Sequence, residues 1–170
     1  MSNHLNVEIK AKCQDPEKIH AILKNEHADY KGEDHQIDTY FDCPKGRLKL
    51  REGNIENTLI FYERNNQAGP KDSLVKLDHL QPGHNLKSIL EQAYGKKCVV
   101  DKKRHIYFIN NVKFHVDEVQ GLGSFVEIEA IDSDNSIGQA KLEDQCRHFM
   151  GLFGVKEDDL IDCSYSDMIH

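Results

Sequence analysis

The sequence predicts a single antiparallel α+β domain, and three observations carry that reading. Short segments alternating between apolar and polar residues recur along the chain. Three other segments carry helical periodicity, and neither a linker nor an internal repeat divides the 170 residues. Alternation at period two sets successive side chains on opposite faces of a strand. It is clearest over residues 5–12, 37–42, 46–52, 58–64, 73–79, 99–109, 112–119 and 125–131, roughly eight strands between turn signals. Asn110-Asn111 reads as a tight hairpin turn. Gly121-Leu122-Gly123 lies between two strands and reads as another turn rather than a phosphate loop.

The first helix opens on Asp15-Pro16-Glu17, an N-cap, a proline at the first helical position and an early acid, and sets Ile19, Ile22 and Leu23 on one side. The second carries Leu86, Ile89, Leu90 and Ala93 and stops at Gly95. The third runs from about Ile137 to Phe153, with Gly154 as a left-handed stop. The one loose region is residues 65–70.

Composition narrows the class of protein. With 38% apolar and 30% charged residues the chain can build a core. No apolar run approaches the roughly 18 residues of a membrane span, and the N-terminus lacks a signal peptide's apolar stretch. The five cysteines are scattered without a CxxC pair, which predicts reduced thiols and a cytoplasmic protein rather than a disulfide framework or a zinc site. A formal net charge of -7 argues against binding a nucleic-acid polymer.

Against that acidic balance stands Lys45-Gly46-Arg47-Leu48-Lys49-Leu50-Arg51, where Arg47, Lys49 and Arg51 share one strand face. Other strands follow suit. Asn6, Glu8, Lys10 and Lys12 oppose Val7, Ile9 and Ala11; Lys113, His115 and Asp117 oppose Val112, Phe114 and Val116; Glu127 and Glu129 oppose Val126, Ile128 and Ala130. Lys102 and Arg104 fall together, and Lys76 and Arg64 with Tyr62 add more. For any single strand, one solvated face of an antiparallel sheet explains the alternation. Taken together the faces are too segregated by sign, and their apolar sides look built to lie under helices. The charged faces would then meet across a barrel interior. Two like charges about 4 Å apart repel by about 4 kcal/mol at an effective dielectric of about 20. An enclosed cluster of Lys49, Arg51, Lys102 and Arg104 therefore needs facing carboxylates or an anionic ligand.

Arginine forks and lysine point charges on several strands suit a chain of phosphates. Carboxylates without an accompanying Cys or His set suit a hard cation, Mg²⁺ or Mn²⁺, rather than Zn²⁺. Glu127 and Glu129 can reach one ion from one strand, with Glu8 and Asp117 completing the site. No GxxxxGK[ST] loop, GxGxxG turn or GxSxG elbow points elsewhere.

These residues resemble the CYTH superfamily, the triphosphate tunnel metalloenzymes, which include class IV adenylyl cyclases, thiamine triphosphatases and inorganic triphosphatases. Asn6-Val7-Glu8-Ile9-Lys10 is similar to the family's N-terminal ExExK strand. Asp38-Thr39-Tyr40-Phe41, Leu48-Lys49-Leu50-Arg51, Tyr62-Glu63-Arg64, Lys102-x-Arg104, His115-Val116-Asp117 and Phe125-Val126-Glu127-Ile128-Glu129 follow in order. Ser164-Tyr165-Ser166-Asp167 resembles the C-terminal signature of the cyclase-like branch. The resemblance implies an eight-stranded antiparallel tunnel, with helices outside, binding a triphosphate with one or two divalent cations. It implies that Lys10, Lys49, Arg51, Arg64, Lys76, Lys102 and Arg104 hold phosphates, and that Glu8, Glu127 and Glu129 hold metal. Glu8, Lys10 and Asp117 would carry the chemistry, with Asp117 assisting the metal or orienting the attacking group. Lys12 and Arg47 belong near the mouth, and Tyr165 either packs or touches substrate.

One departure stands out: the first glutamate of the ExExK strand is Asn6 here. An amide oxygen can coordinate, but it brings no charge and cannot act as a base. Three readings follow. The chain is a metal-dependent phosphohydrolase acting on tripolyphosphate or a nucleoside triphosphate, a class IV-type adenylyl cyclase releasing pyrophosphate from ATP, or a non-catalytic module that binds polyphosphate or nucleotide. A homodimer paired through strand edges or helical faces fits each of them. An unrelated sheet with solvated charges predicts no triphosphate affinity at all.

Overall fold

Eight antiparallel strands close into a barrel in a computed structural model that describes residues 2–63 and 68–169. The strands are β1 (Ser2–Lys12), β2 (Asp29–Phe41), β3 (Arg47–Glu52), β4 (Asn57–Glu63), β5 (Lys71–His79), β6 (Lys96–Ile109), β7 (Val112–Val119) and β8 (Gly123–Asp132). Around the ring they run β1-β5-β4-β3-β2-β6-β7-β8, and β8 returns to β1. Hence β1 stands across the barrel from β2, β8 from β3, β7 from β4 and β6 from β5. Each predicted strand is present. Arg64 and part of the predicted loose region lie outside the described residues.

The helices are α1 (Pro16–Asn25), α2 (Leu86–Tyr94), α3 (Gln139–Phe153) and a single turn, α4 (Tyr165–Met168). Asp15 caps α1 by accepting from the Lys18 amide at 3.3 Å, with Pro16 in the first turn. Gly154 ends α3 at φ 72°, the left-handed conformation a residue with a Cβ resists. Asn110 takes φ 52° in the β6–β7 hairpin, the turn its sequence predicts.

Strand parity decides what points where. Val7, Ile9 and Ala11 of β1, Phe114 and Val116 of β7, and Val126, Ile128 and Ala130 of β8 face outward. There they pack with Ile19 and Leu23 of α1 and Leu142, Cys146, Phe149 and Phe153 of α3. Each fully buried aliphatic side chain here stabilises the fold by about 1.5–3 kcal/mol. With that face under helices, the alternate residues of the same strands have only the barrel interior to enter. Helix α2 buries none of its residues. No described helix is long and apolar enough to cross a membrane. Among the described residues no two cysteines form a disulfide.

After α3 the chain runs back across the barrel. The Ile161 amide donates to the Lys10 carbonyl at 2.9 Å, and α4 settles over one mouth. Arg47 donates to Asp167 at 2.8 Å and lies 3.3 Å from the Ser166 hydroxyl, while Tyr62 and Ser164 share a hydrogen bond at 3.1 Å. Arg47 therefore stands at this mouth; Lys12, one strand position beyond Ala11, is exposed.

Candidate active site

A chamber of about 260 Å³ fills the centre of the barrel. Its basic lining is Lys10, Lys49, Arg51, Lys102, Arg104 and Lys113, and its acidic lining is Glu8, Asp38, Glu56, Glu127 and Glu129. Asn6, His79, His115 and Tyr165 also face it. Ile60, Val75, Leu77 and Ile131 make part of the wall apolar.

The cations are held by buried carboxylates. Asp38 accepts from Arg51 Nε and Nη2, each at 2.9 Å, and from Lys102 Nζ at 2.7 Å; Lys49 Nζ lies 3.7 Å away. Burial would raise the Asp38 carboxyl, but Arg51, Lys102 and Lys49 together hold it well below the usual carboxylate range. Burial, with Arg51 beside it, pushes the Lys49 ammonium well below its ordinary value. Lys102 falls to about 8, through burial first and then the Arg51 and Arg104 charges, against the pull of Asp38. On the neighbouring wall Arg104 forks onto Asp117 with two 2.7 Å bonds and gives a third, also 2.7 Å, to Glu127. Tyr165 donates its hydroxyl to the same Asp117 at 2.7 Å. Both arginine forks are thus engaged by aspartates, and Arg51 also reaches Glu56 through Nη1 at 3.4 Å.

The carboxylate wall is arranged differently. Glu8 and Glu129 are register partners on β1 and β8, as are Lys10 and Glu127. Asn6 donates its amide to Glu129 at 2.6 Å, leaving its own Oδ1 buried without a hydrogen-bond partner. Burial raises the Glu129 carboxyl, but Lys113, His115 and the Asn6 bond outweigh it and the net displacement is downward. His115 is buried with neither ring nitrogen hydrogen-bonded, and Nδ1 is 4.0 Å from Glu127. Burial and the Arg104 charge lower its pKa, so the ring is neutral near pH 7.

Most of the positions singled out in the sequence meet here: Glu8, Lys10, Lys49, Arg51, Lys102, Arg104, Glu127 and Glu129 line one chamber, with Asp117 directly behind Arg104. Lys76 does not. Strand β5 turns Val75, Leu77 and His79 inward, so its neighbour Lys76 is exposed on the outer face and the assignment of Lys76 to phosphate is corrected. Arg64 lies outside the described residues. Lys10 donates to the Cys163 carbonyl at 3.2 Å with its ammonium 4.1 Å from the Tyr165 ring centroid, so Tyr165 both packs and lines the chamber. Sequence reasoning overlooked Asp38 as the central counter-ion and Glu56 altogether, and put Lys113 and His115 on an interior face without a role. The signal for Asp38 was present: an aspartate at strand parity with Tyr40, inside an otherwise apolar run. Glu56 sits in a turn, where nothing in the pattern marks it.

A divalent cation would meet a defined donor set in this chamber. Its atoms are carboxylate oxygens and the unpartnered amide oxygen of Asn6, the chemistry of a hard ion. Among the described residues no three His, Cys, Asp or Glu side chains already converge as a cage. That fits an ion held by one or two carboxylates and completed by phosphate oxygens and water, as Mg²⁺ usually is.

The chamber is thus a closed antiparallel barrel with charged residues converging inside it. A CYTH domain spans residues 4–165, and the chain belongs to the CYTH family. Among solved structures it superposes on the PH1012 protein of Pyrococcus horikoshii OT3 with a TM-score of 0.84, at 23% identity over 97% of this chain and 99% of that one. A candidate adenylate cyclase from Vibrio parahaemolyticus matches with a TM-score of 0.79, at 20% identity over 96% of this chain and 97% of that one. HpAC1 from Hippeastrum, a candidate adenylyl cyclase described as having a dominant triphosphatase activity, matches with a TM-score of 0.62. Its identity is 11% over 95% of this chain and 91% of that one. At these identities the likeness is one of fold. No curated protein is a detectable sequence relative of this chain.

Proposed function

We propose that the chain is a divalent-metal-dependent phosphohydrolase acting on a triphosphate, either tripolyphosphate or a nucleoside triphosphate, bound in the barrel chamber. One observation carries the reading: cationic side chains on β1, β3, β6 and β7 share a single enclosed space with carboxylates on β1, β2 and β8. Family membership supports it, as does the dominant triphosphatase activity ascribed to HpAC1.

Charge balance explains the metal. The six basic lining groups named above face five acidic ones, with Asp117 behind Arg104, so the fully ionised chamber is close to neutral. A triphosphate carries several negative charges, and burying it there without added positive charge is unfavourable. Mg²⁺ or Mn²⁺ held by one or two of the carboxylates Glu8, Glu127 and Glu129, with the Asn6 oxygen, would supply that charge and offset the negative charge developing on phosphate oxygens. The chain's own groups do the rest. Lys102, Lys49 and Arg51 orient one end of the phosphate chain, Lys10 and Arg104 the other. Asp117 fixes the Arg104 plane, and the closed barrel with α4 over its mouth limits bulk solvent while admitting the water that attacks the terminal phosphorus, whose bond to the bridging oxygen breaks to release orthophosphate and the shortened chain.

The test is phosphorus-31 NMR on ATP and, separately, tripolyphosphate, each incubated with protein and Mn²⁺. Orthophosphate with ADP or pyrophosphate is the expected outcome. Pyrophosphate from ATP without ADP would assign the cyclase reaction instead. The Asn6 amide, hydrogen-bonded to Glu129, favours a second reading in which the chamber binds triphosphate without turning it over. Asn6→Glu separates the two: turnover that appears only in the variant, over an already tight-binding parent, makes the parent a binding module.

A further inference from the structure

Opposite the mouth covered by α4, the barrel is spanned by one side chain. Glu56 belongs to the β3–β4 turn, yet its Oε2 accepts from Lys113 on β7 at 2.5 Å, and β7 is the strand across the barrel from β4. Its Oε1 accepts from Gln36 at 2.9 Å and from Arg51 Nη1 at 3.4 Å. This is the Arg51 edge that Asp38 leaves unengaged. The turn is firmly seated: buried Asp34 accepts from the Ile55 and Glu56 amides, each at 2.9 Å, and from Gln36 at 2.8 Å. A Cβ added at Gly53 would lie 2.5 Å from Asp34 Oδ1, so the backbone fits there only as glycine. Glu56 is therefore a carboxylate fixed where a phosphate would otherwise meet Arg51 and Lys113.

We infer that Glu56 determines specificity by terminating the phosphate channel: it rejects an anionic group beyond the third phosphate and tolerates an uncharged substituent there. The inference rests on the proposed triphosphate reading and names which triphosphates the site accepts. Its physical basis is repulsion built against the wrong ligand. A fourth phosphate pushed past the cations meets a carboxylate whose own partners hold it in place, while a neutral ring meets Leu77 and Ile131 on the apolar part of the wall.

The test is calorimetric binding of linear tripolyphosphate, linear tetrapolyphosphate and ATP to the full chain with Mn²⁺, in the parent, Glu56→Gln and Glu56→Asp. Glutamine keeps the shape and removes the charge, with one oxygen that can accept from either Gln36 or Lys113. Aspartate keeps the charge. In the parent, tripolyphosphate should bind about tenfold more tightly than tetrapolyphosphate, the size expected of one partly screened charge repulsion. Glu56→Gln should close most of that gap and bind tripolyphosphate more tightly than the parent, and Glu56→Asp should retain the gap. An equal gap in parent and Glu56→Gln, or equal behaviour of Gln and Asp, overturns the role of Glu56 while leaving the triphosphate site standing. Absence of tripolyphosphate binding in all three proteins removes the proposed function and this inference together.

Discussion

The wall built by β2, β3 and β6 and the wall built by β1 and β8 face each other across the chamber and handle charge in opposite ways. On the first, Asp38 gathers Arg51, Lys102 and Lys49 around two oxygen atoms, so the cations are fixed before any ligand arrives. On the second, Asn6 Oδ1 lacks a hydrogen-bond partner, as do both nitrogens of nearby His115 on β7. A buried polar group without a partner costs about 1–3 kcal/mol, so any group that supplied one would stabilise this wall. The cations of the first wall are held by their own carboxylates, while the second keeps polar atoms unengaged.

The largest expected effect breaks the first wall. Asp38→Asn leaves buried cations around a neutral amide, a loss of about 3–5 kcal/mol in folding stability. Denaturant unfolding measures it, and added tripolyphosphate should restore part of the loss by replacing the missing anion. The pH dependence has a definite sign. The Asp38 carboxyl is held below its unfolded value, so its contribution is complete above the unfolded carboxylate pKa of about 4 and is lost as pH falls toward the folded value.

Next comes the second wall. Glu129→Gln should lower metal-dependent turnover at least about tenfold with little change in folding stability. A steady-state assay across Mn²⁺ concentrations reads this, and unchanged activity would remove Glu129 from the site. Arg51→Lys should weaken tripolyphosphate binding several-fold despite keeping the charge, because the fork onto Asp38 orients the N–H edge that reaches the ligand. Equal affinity would mean that this preorganisation is without consequence.

The smallest effect separates binding from stability on one lysine. Lys102 titrates near 8 in the folded chain, below its unfolded value of about 10.4. The unfolded chain binds the extra proton between those values, so raising pH through that window increases folding stability. Tripolyphosphate affinity should fall over the same window, because the neutral amine attracts phosphate less. Parallel rather than opposed trends would place Lys102 outside the binding wall.

Much of this was legible in the sequence because strand parity sorts inward from outward residues. Arg47, Lys49 and Arg51 against Leu48 and Leu50 announced a cationic interior face, and the helices over β1, β7 and β8 made it an interior in fact. The early part of β2, from Asp29 to Gln36, was not legible. Its buried inward residues are Asp34 and Gln36, so no apolar alternation marks it as a strand. Lys76 failed for the converse reason: a lysine near the family's pattern drew the assignment, although parity with Val75 and Leu77 places it outside. The pairing of Glu56 with Lys113 escaped notice because it exists only across the closed barrel, between residues far apart in the chain. The order of motifs from Asn6 to Glu129 carried the family, while the pairing of each cation with its own carboxylate required coordinates.

Calorimetric titration of tripolyphosphate into the protein, with and without Mn²⁺, tests the central claim most directly. A near-neutral chamber with a cationic wall and an incomplete carboxylate wall predicts one site per chain, weak without metal and at least about tenfold tighter with it. Affinity that ignores Mn²⁺, or no saturable binding at all, would contradict the account.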